Sequence, residues 1–138
     1  MKYLNVRILT PEKQVYQGNV QEVTCTTPDG EISILPNHMP LLSLLEDGVV
    51  ILKEDREDRF FSAGSGFIET DGKEVRILIS RAYGQQEIDE EEIKLVRERA
   101  QKLLEQYPEK KLRAEAFTML KRATIDSRIL KKLKVKRR

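Results

Sequence analysis

Among residues able to do chemistry, His38 is the chain's one histidine and Cys25 its one cysteine. A nucleophile needs a base beside it and a third group to orient that base, so the pairing open to this chain is Cys25 with His38. The surroundings argue against it. Cys25 lies in a run that alternates like a strand, where a free cysteine behaves as a small buried hydrophobe, and His38 lies in a loop between two prolines. One histidine and one cysteine also exclude a multi-histidine or cysteine-ligated metal centre. An internal disulfide is excluded too, so a reducing cytoplasm suits the chain. Gly64-Ser65-Gly66 could suggest a phosphate-cradling loop, but a third glycine is missing. The residues that follow, Phe67-Ile68-Glu69-Thr70, read as strand where a dinucleotide site needs a helix, so a tight β connection or bulge is the better reading. The carboxylates Glu87, Asp89, Glu90, Glu91 and Glu92 match no calcium-loop spacing, and their place at a helix start accounts for them.

The remaining chemistry is charge. The 138 residues carry a net charge of only +2. Up to Pro108 there are 13 basic and 20 acidic residues, and from Glu109 onward 12 and 3. The first part is therefore near −7 and the second near +9. Six of the eight residues from Lys131 to Arg138 are basic. A helix of one charge sign seeks an acidic surface, whether phosphate backbone, anionic membrane or acidic protein segment. Phe117 is its one aromatic residue, so the interleaved aromatics of single-strand nucleic-acid binders are missing.

The elements that position these residues follow from periodicity. From Tyr3 to about Ala82 the apolar spacing is mostly two, as in Leu4, Val6, Ile8 and in Val75, Ile77, Ile79. Further short strands are expected at Val20 to Thr26, Glu31 to Leu35, Leu41 to Leu45, Val49 to Lys53, Arg59 to Ser62 and Gly66 to Thr70. Turns at Pro28-Asp29-Gly30, Asp47-Gly48 and Asp71-Gly72 separate some of them, which predicts a sandwich or flattened barrel. After Gly84 the period becomes helical. Ile93, Val96, Ala100, Leu103 and Leu104 form one stripe, with Asp89 as N-cap and Glu92 at its N3 position. Tyr107-Pro108 should end that helix. Leu112, Ala116, Met119 and Ala123 give a second helix a facing stripe, hence an antiparallel hairpin with a basic C-terminal tail. The boundary between domains is expected at 84/85. The N-terminus reads as strand from the start, with no signal or transit segment. No apolar run approaches the roughly 20 residues of a membrane span.

The segment Gly30-Glu31-Ile32-Ser33-Ile34-Leu35-Pro36-Asn37-His38-Met39-Pro40-Leu41-Leu42 resembles the Gly-Glu-x-Gly-Ile-x-Pro-x-His-x-Pro-Leu signature of the epsilon subunit of the rotary F-type ATP synthase. Leu9-Thr10-Pro11, Gly64-Ser65-Gly66-Phe67-Ile68-Glu69 and the terminal hairpin extend the resemblance over nearly the whole chain. Ser33 stands where the family usually has glycine. The resemblance implies a ten-stranded antiparallel β-sandwich followed by the helical hairpin, in a non-catalytic rotor subunit of bacterial type. It would sit peripherally on the cytoplasmic face of the cell membrane, touching the gamma subunit and the c-subunit ring through Glu31, Pro36, His38 and Met39.

In this family the hairpin can extend into the alpha/beta catalytic hexamer and oppose ATP hydrolysis, meeting an acidic loop of the beta subunit. The implied contacts here are Arg113, Lys121, Arg122, Arg128, Lys131 and Lys132. Some bacterial members bind ATP through Ile-Asp-x-x-Arg-Ala. The matching stretch here keeps Ile88 and Asp89 but has Glu92 and Ile93 in place of the last two residues, which leaves Arg122 and Arg128 as isolated phosphate partners. No cofactor is therefore expected. The rival reading from the residues alone is a basic nucleic-acid-binding module.

Overall fold

The computed structural model describes residues 2–106 and 110–136, without the side chains of 110–112 and 134–136. The alternation at the start of the chain becomes β1 (Leu4–Leu9), in which Leu4, Val6 and Ile8 are fully buried. It is followed by β2 (Gln14–Val20), β3 (Glu22–Thr27), β4 (Gly30–Ile34), β5 (Leu41–Leu45) and β6 (Gly48–Lys53). The remaining strands are β7 (Asp58–Ala63), β8 (Gly66–Thr70), β9 (Glu74–Ile79) and β10 (Ala82–Gly84). Two five-stranded sheets result, in the orders β2-β1-β9-β8-β5 and β10-β7-β6-β3-β4. Their inner faces share one apolar core, to which Val6, Ile8, Val23, Cys25, Ile34, Leu52, Ile68, Val75 and Ile77 contribute. This is the sandwich that the period-two pattern predicts.

Three details differ from the sequence reading. The stretch expected to open at Val20 is two strands, because β2 ends there and β3 begins at Glu22. β2 is an edge strand in which Gln14, Gln17 and Asn19 are exposed, so it lacks the apolar alternation by which a strand is noticed. β10, three residues pairing with Ala63 to Phe61 of β7, is too short to show any period. Finally, β1 and β9 run parallel, from Asn5 beside Glu74 to Leu9 beside Leu78. Parallel neighbours need a long crossover, and the strands between them in the chain supply it.

Gly64-Ser65-Gly66 is part of this packing. A Cβ at Gly66 would lie 2.0 Å from the carbonyl oxygen of Leu78, and one at Gly64 would lie 2.1 Å from the Ser80 hydroxyl. The glycines let β8 and its approach lie close against the chain around β9. Ser33 is also accounted for locally: its hydroxyl is 3.1 Å from that of Thr24, its cross-strand partner.

The chain divides into two compact units, Met1–Gln85 and Gln86–Arg138. In the second, α1 (Glu90–Gln106) and α2 (Lys110–Lys136) pack as a helical hairpin. Asp89 caps α1, accepting the backbone N–H of Glu91 on its carboxylate at 2.9 Å. Ile93 and Ala100 of the expected α1 stripe are buried, as are Ala116 and Ala123 of α2. The stop expected at Tyr107-Pro108 lies outside the described residues, as does the side chain of Leu112. The expected basic tail is mostly helix, since α2 continues to Lys136. α2 also buries Ile125 and Ile129, which at about 100° per residue face away from Ala116.

Candidate functional site

The loop joining β4 to β5 carries Pro36, His38 and Met39, and a turn of the opposite strand pair clamps it. Asn37 adopts a left-handed φ of 69°, tolerable for asparagine. Its backbone N–H donates to the carbonyl of Gly72 at 2.9 Å. A Cβ on Gly72 would lie 2.5 Å from the His38 carbonyl oxygen, so glycine permits the approach. The turn is itself fixed. The carboxylate of Asp71 accepts the N–H groups of Glu74 at 2.8 Å and Lys73 at 2.9 Å, which holds the carboxyl below its usual pKa. His38 Nδ1 lies 2.7 Å from the Met39 carbonyl, which can only accept, so Nδ1 carries a proton and Nε2 is left for another partner.

The clamp leaves Met39 79% exposed, with Leu35 exposed beside it. Glu31 is exposed as well. It sits at the other end of β4, about 10 Å of strand away from the loop, so the four residues implied as rotor contacts form two places rather than one cluster.

A feature absent from the sequence reading lies on the outer face of the first sheet. Leu44 pairs with Phe67, Phe67 with Leu78, and Leu78 with Leu9. These four make one apolar row across β5, β8, β9 and β1. Leu44 is 68% exposed and Phe67 39%, and Leu42 beside them is 70% exposed. The next row begins with Leu42 on β5 and continues through Glu69, Arg76 and Arg7, which are charged, with Arg76 donating to Glu69 at 3.1 Å. A groove of about 320 Å³ opens along the apolar row, lined by Leu9, Pro11, Phe67 and Leu78 among others. The signal was present in β5, where Leu41-Leu42-Ser43-Leu44-Leu45 puts leucines on both faces. A strand with one wet face has no need of them.

On α2, Arg113, Lys121, Arg128, Lys131 and Lys132 are all exposed. Helical geometry places them within an arc of about 100°, together with Phe117 and without an acid. Arg122 is exposed but falls roughly 80° outside that arc, nearer Ile125 and Ile129. Five of the six basic residues implied as beta-subunit contacts therefore share a face and one does not.

The other candidates are not assembled into sites. Cys25 points into the core, and burial, with Glu31 adding to it, pushes its thiol up to about 12. His38 sits in the clamped loop, so the pair is not brought together. Asp89, weighed as a nucleotide contact, spends its carboxylate on the helix cap, with Ile88 half-buried beside it. Among the described residues, no three of His, Cys, Asp or Glu gather to hold a metal, and no helix is long and apolar enough to cross a membrane.

Comparison with known proteins places this geometry. Residues 3–85 match the family described as ATP synthase, Delta/Epsilon chain, beta-sandwich domain. The ATP synthase epsilon chain of Halalkalibacterium halodurans is 37% identical over 127 residues, covering 90% of this chain and 94% of that one. That of Brevibacillus brevis is 41% identical over 112 residues, covering 79% and 84%. A chain in the Euglena gracilis mitochondrial ATP synthase structure (OSCP/F1/c-ring) superposes with a TM-score of 0.83 at 20% identity, covering 94% of this chain and 82% of that one. With a sandwich match over most of the chain and relatives aligned through the hairpin, the chain belongs to the ATP synthase epsilon-chain family.

Proposed function

We propose that this chain is a non-catalytic rotor subunit of a proton-translocating ATP synthase, coupling the catalytic hexamer to the membrane ring. The observation that carries this is the apolar row Leu9, Leu78, Phe67, Leu44 on the outer face of one sheet of the sandwich, half-buried at Leu9 and Leu78 and exposed at Phe67 and Leu44. A continuous apolar strip bordered by charge marks a protein-binding surface, and the gamma subunit is the partner it suits. The clamped loop with Pro36, His38 and Met39, and Glu31 at the far end of β4, meet the c-subunit ring and the base of gamma. The protein is thus peripheral, held at the cytoplasmic face of the cell membrane through the complex.

The helical unit regulates. Its basic face on α2 docks on an acidic loop of the beta subunit within the alpha/beta hexamer and restrains ATP hydrolysis. Two packings within a few kcal/mol of each other let nucleotide state or proton-motive force shift the population. No ATP is bound as an effector. Glu90, Glu91 and Glu92 open α1 with negative charge where a polyphosphate would need Arg, and Asp89 is already used as the cap. A nucleic-acid-binding role finds little support in a face with one aromatic residue.

The test is assembly. Leu44→Glu, at an exposed position, should leave the melting temperature unchanged and lower recovery of the chain with gamma at least about tenfold, since a charge in an apolar contact centre removes a hot spot. Full recovery of Leu44→Glu with gamma would assign the apolar row to another role.

A further inference from the structure

We infer that Phe117 is the apolar anchor by which the basic face of α2 takes its register on an acidic protein segment. The inference rests on the docking proposed above and adds the residue that makes the docking specific. Phe117 is 56% exposed. It lies near the middle of the basic arc, one helical turn after Arg113 and one before Lys121, with Arg128 three turns along. Among the described side chains of α2 the buried ones are elsewhere on the helix: Ala116 and Ala123 on one side, Ile125 and Ile129 on another, and Asp126 between these pairs. Packing of the hairpin therefore does not explain why this position is aromatic.

Its neighbours do. Exposed cations attract an acidic surface from a distance, but they are screened by salt and tolerate sliding. A phenyl ring that enters a pocket tolerates neither a shift in register nor a missing pocket, which is why buried aromatics dominate interface energetics. The fitting partner is a protein segment whose acidic residues flank an apolar seat about one helical turn from the first charge pair. A bilayer is a poorer fit, because a helix lying on lipid needs a broad apolar face, and here one ring stands among five cations. A single-stranded nucleic acid needs a series of stacking rings.

The experiment titrates wild-type chain, Phe117→Ala, Phe117→Leu and the double variant Lys121→Ala/Arg128→Ala into ATP synthase stripped of this subunit. ATP hydrolysis is measured at several salt concentrations. Phe117→Ala should raise the concentration for half-inhibition about tenfold with an unchanged salt dependence, and Phe117→Leu should recover most of the loss. The double variant should weaken inhibition and flatten its salt dependence. If Phe117→Ala inhibits like the wild type while the double variant does not, the anchor is overturned and the docking stands. If both inhibit like the wild type, the docking falls and the anchor with it. Loss of binding to phosphatidylglycerol vesicles by Phe117→Ala, with inhibition intact, would assign the ring to the membrane and also overturn the proposal.

Discussion

Single residues in this chain do unlike work despite similar chemistry. Asp71 and Asp89 both accept backbone N–H bonds, one closing a turn beneath the His38 loop and the other capping α1. Asp71 has a lowered folded pKa, owing first to its bond from Glu74 and then to that from Lys73. The unfolded chain then binds the proton more readily, so the contribution of Asp71 is present above the ordinary value of 3.8 and is lost as pH falls through the folded value. Asp71→Asn keeps an acceptor for both N–H groups but cannot titrate. Its melting temperature should fall less steeply than that of the wild type as pH drops below about 4, as scanning calorimetry can record. Glu31 and His38 lie outside the apolar core and are the residues proposed to meet the partners. Glu31→Ala and His38→Ala should reduce proton pumping per ATP hydrolysed in membrane vesicles and leave the melting transition in place; a lost transition would mark them as structural.

At the scale of elements, legibility followed burial. Strands with one buried face, such as β1 and β9, announced themselves by alternation, and the α1 stripe by its helical period. β2 did not, because an edge strand fills its outward positions with glutamine and asparagine, nor did β10, whose three residues cannot show a period. The apolar row was missed for a different reason. Leu9, Leu44, Phe67 and Leu78 come from four strands, and only register brings them together. Arg122 stands among the basic residues that the resemblance implies as contacts, but helical geometry separates it from the other five. The Asp89 cap, in contrast, was plain from its position before three glutamates. Removing it with Asp89→Ala should cost the hairpin about 1 kcal/mol. Amide exchange in residues 90–93 should rise while protection in β1 and β9 stays unchanged; uniform loss of protection would mean that α1 and the sandwich unfold as one.

For the whole molecule, the division of charge between the two parts of the chain is the broadest clue to function. The sandwich unit, acidic in sum, exposes apolar surface and a clamped loop, which suits permanent attachment to a rotor. The helical unit buries small residues such as Ala116 and Ala123 in its hairpin and exposes one basic face, which suits an element that engages and releases an acidic surface. The most direct test of this account is ATP hydrolysis by membranes carrying a complex in which residues 109–138 of the chain are deleted, measured with and without a proton gradient. Assembly should be intact and hydrolysis severalfold higher than with the full chain. Hydrolysis unchanged under both conditions would contradict the regulatory role of the basic helix.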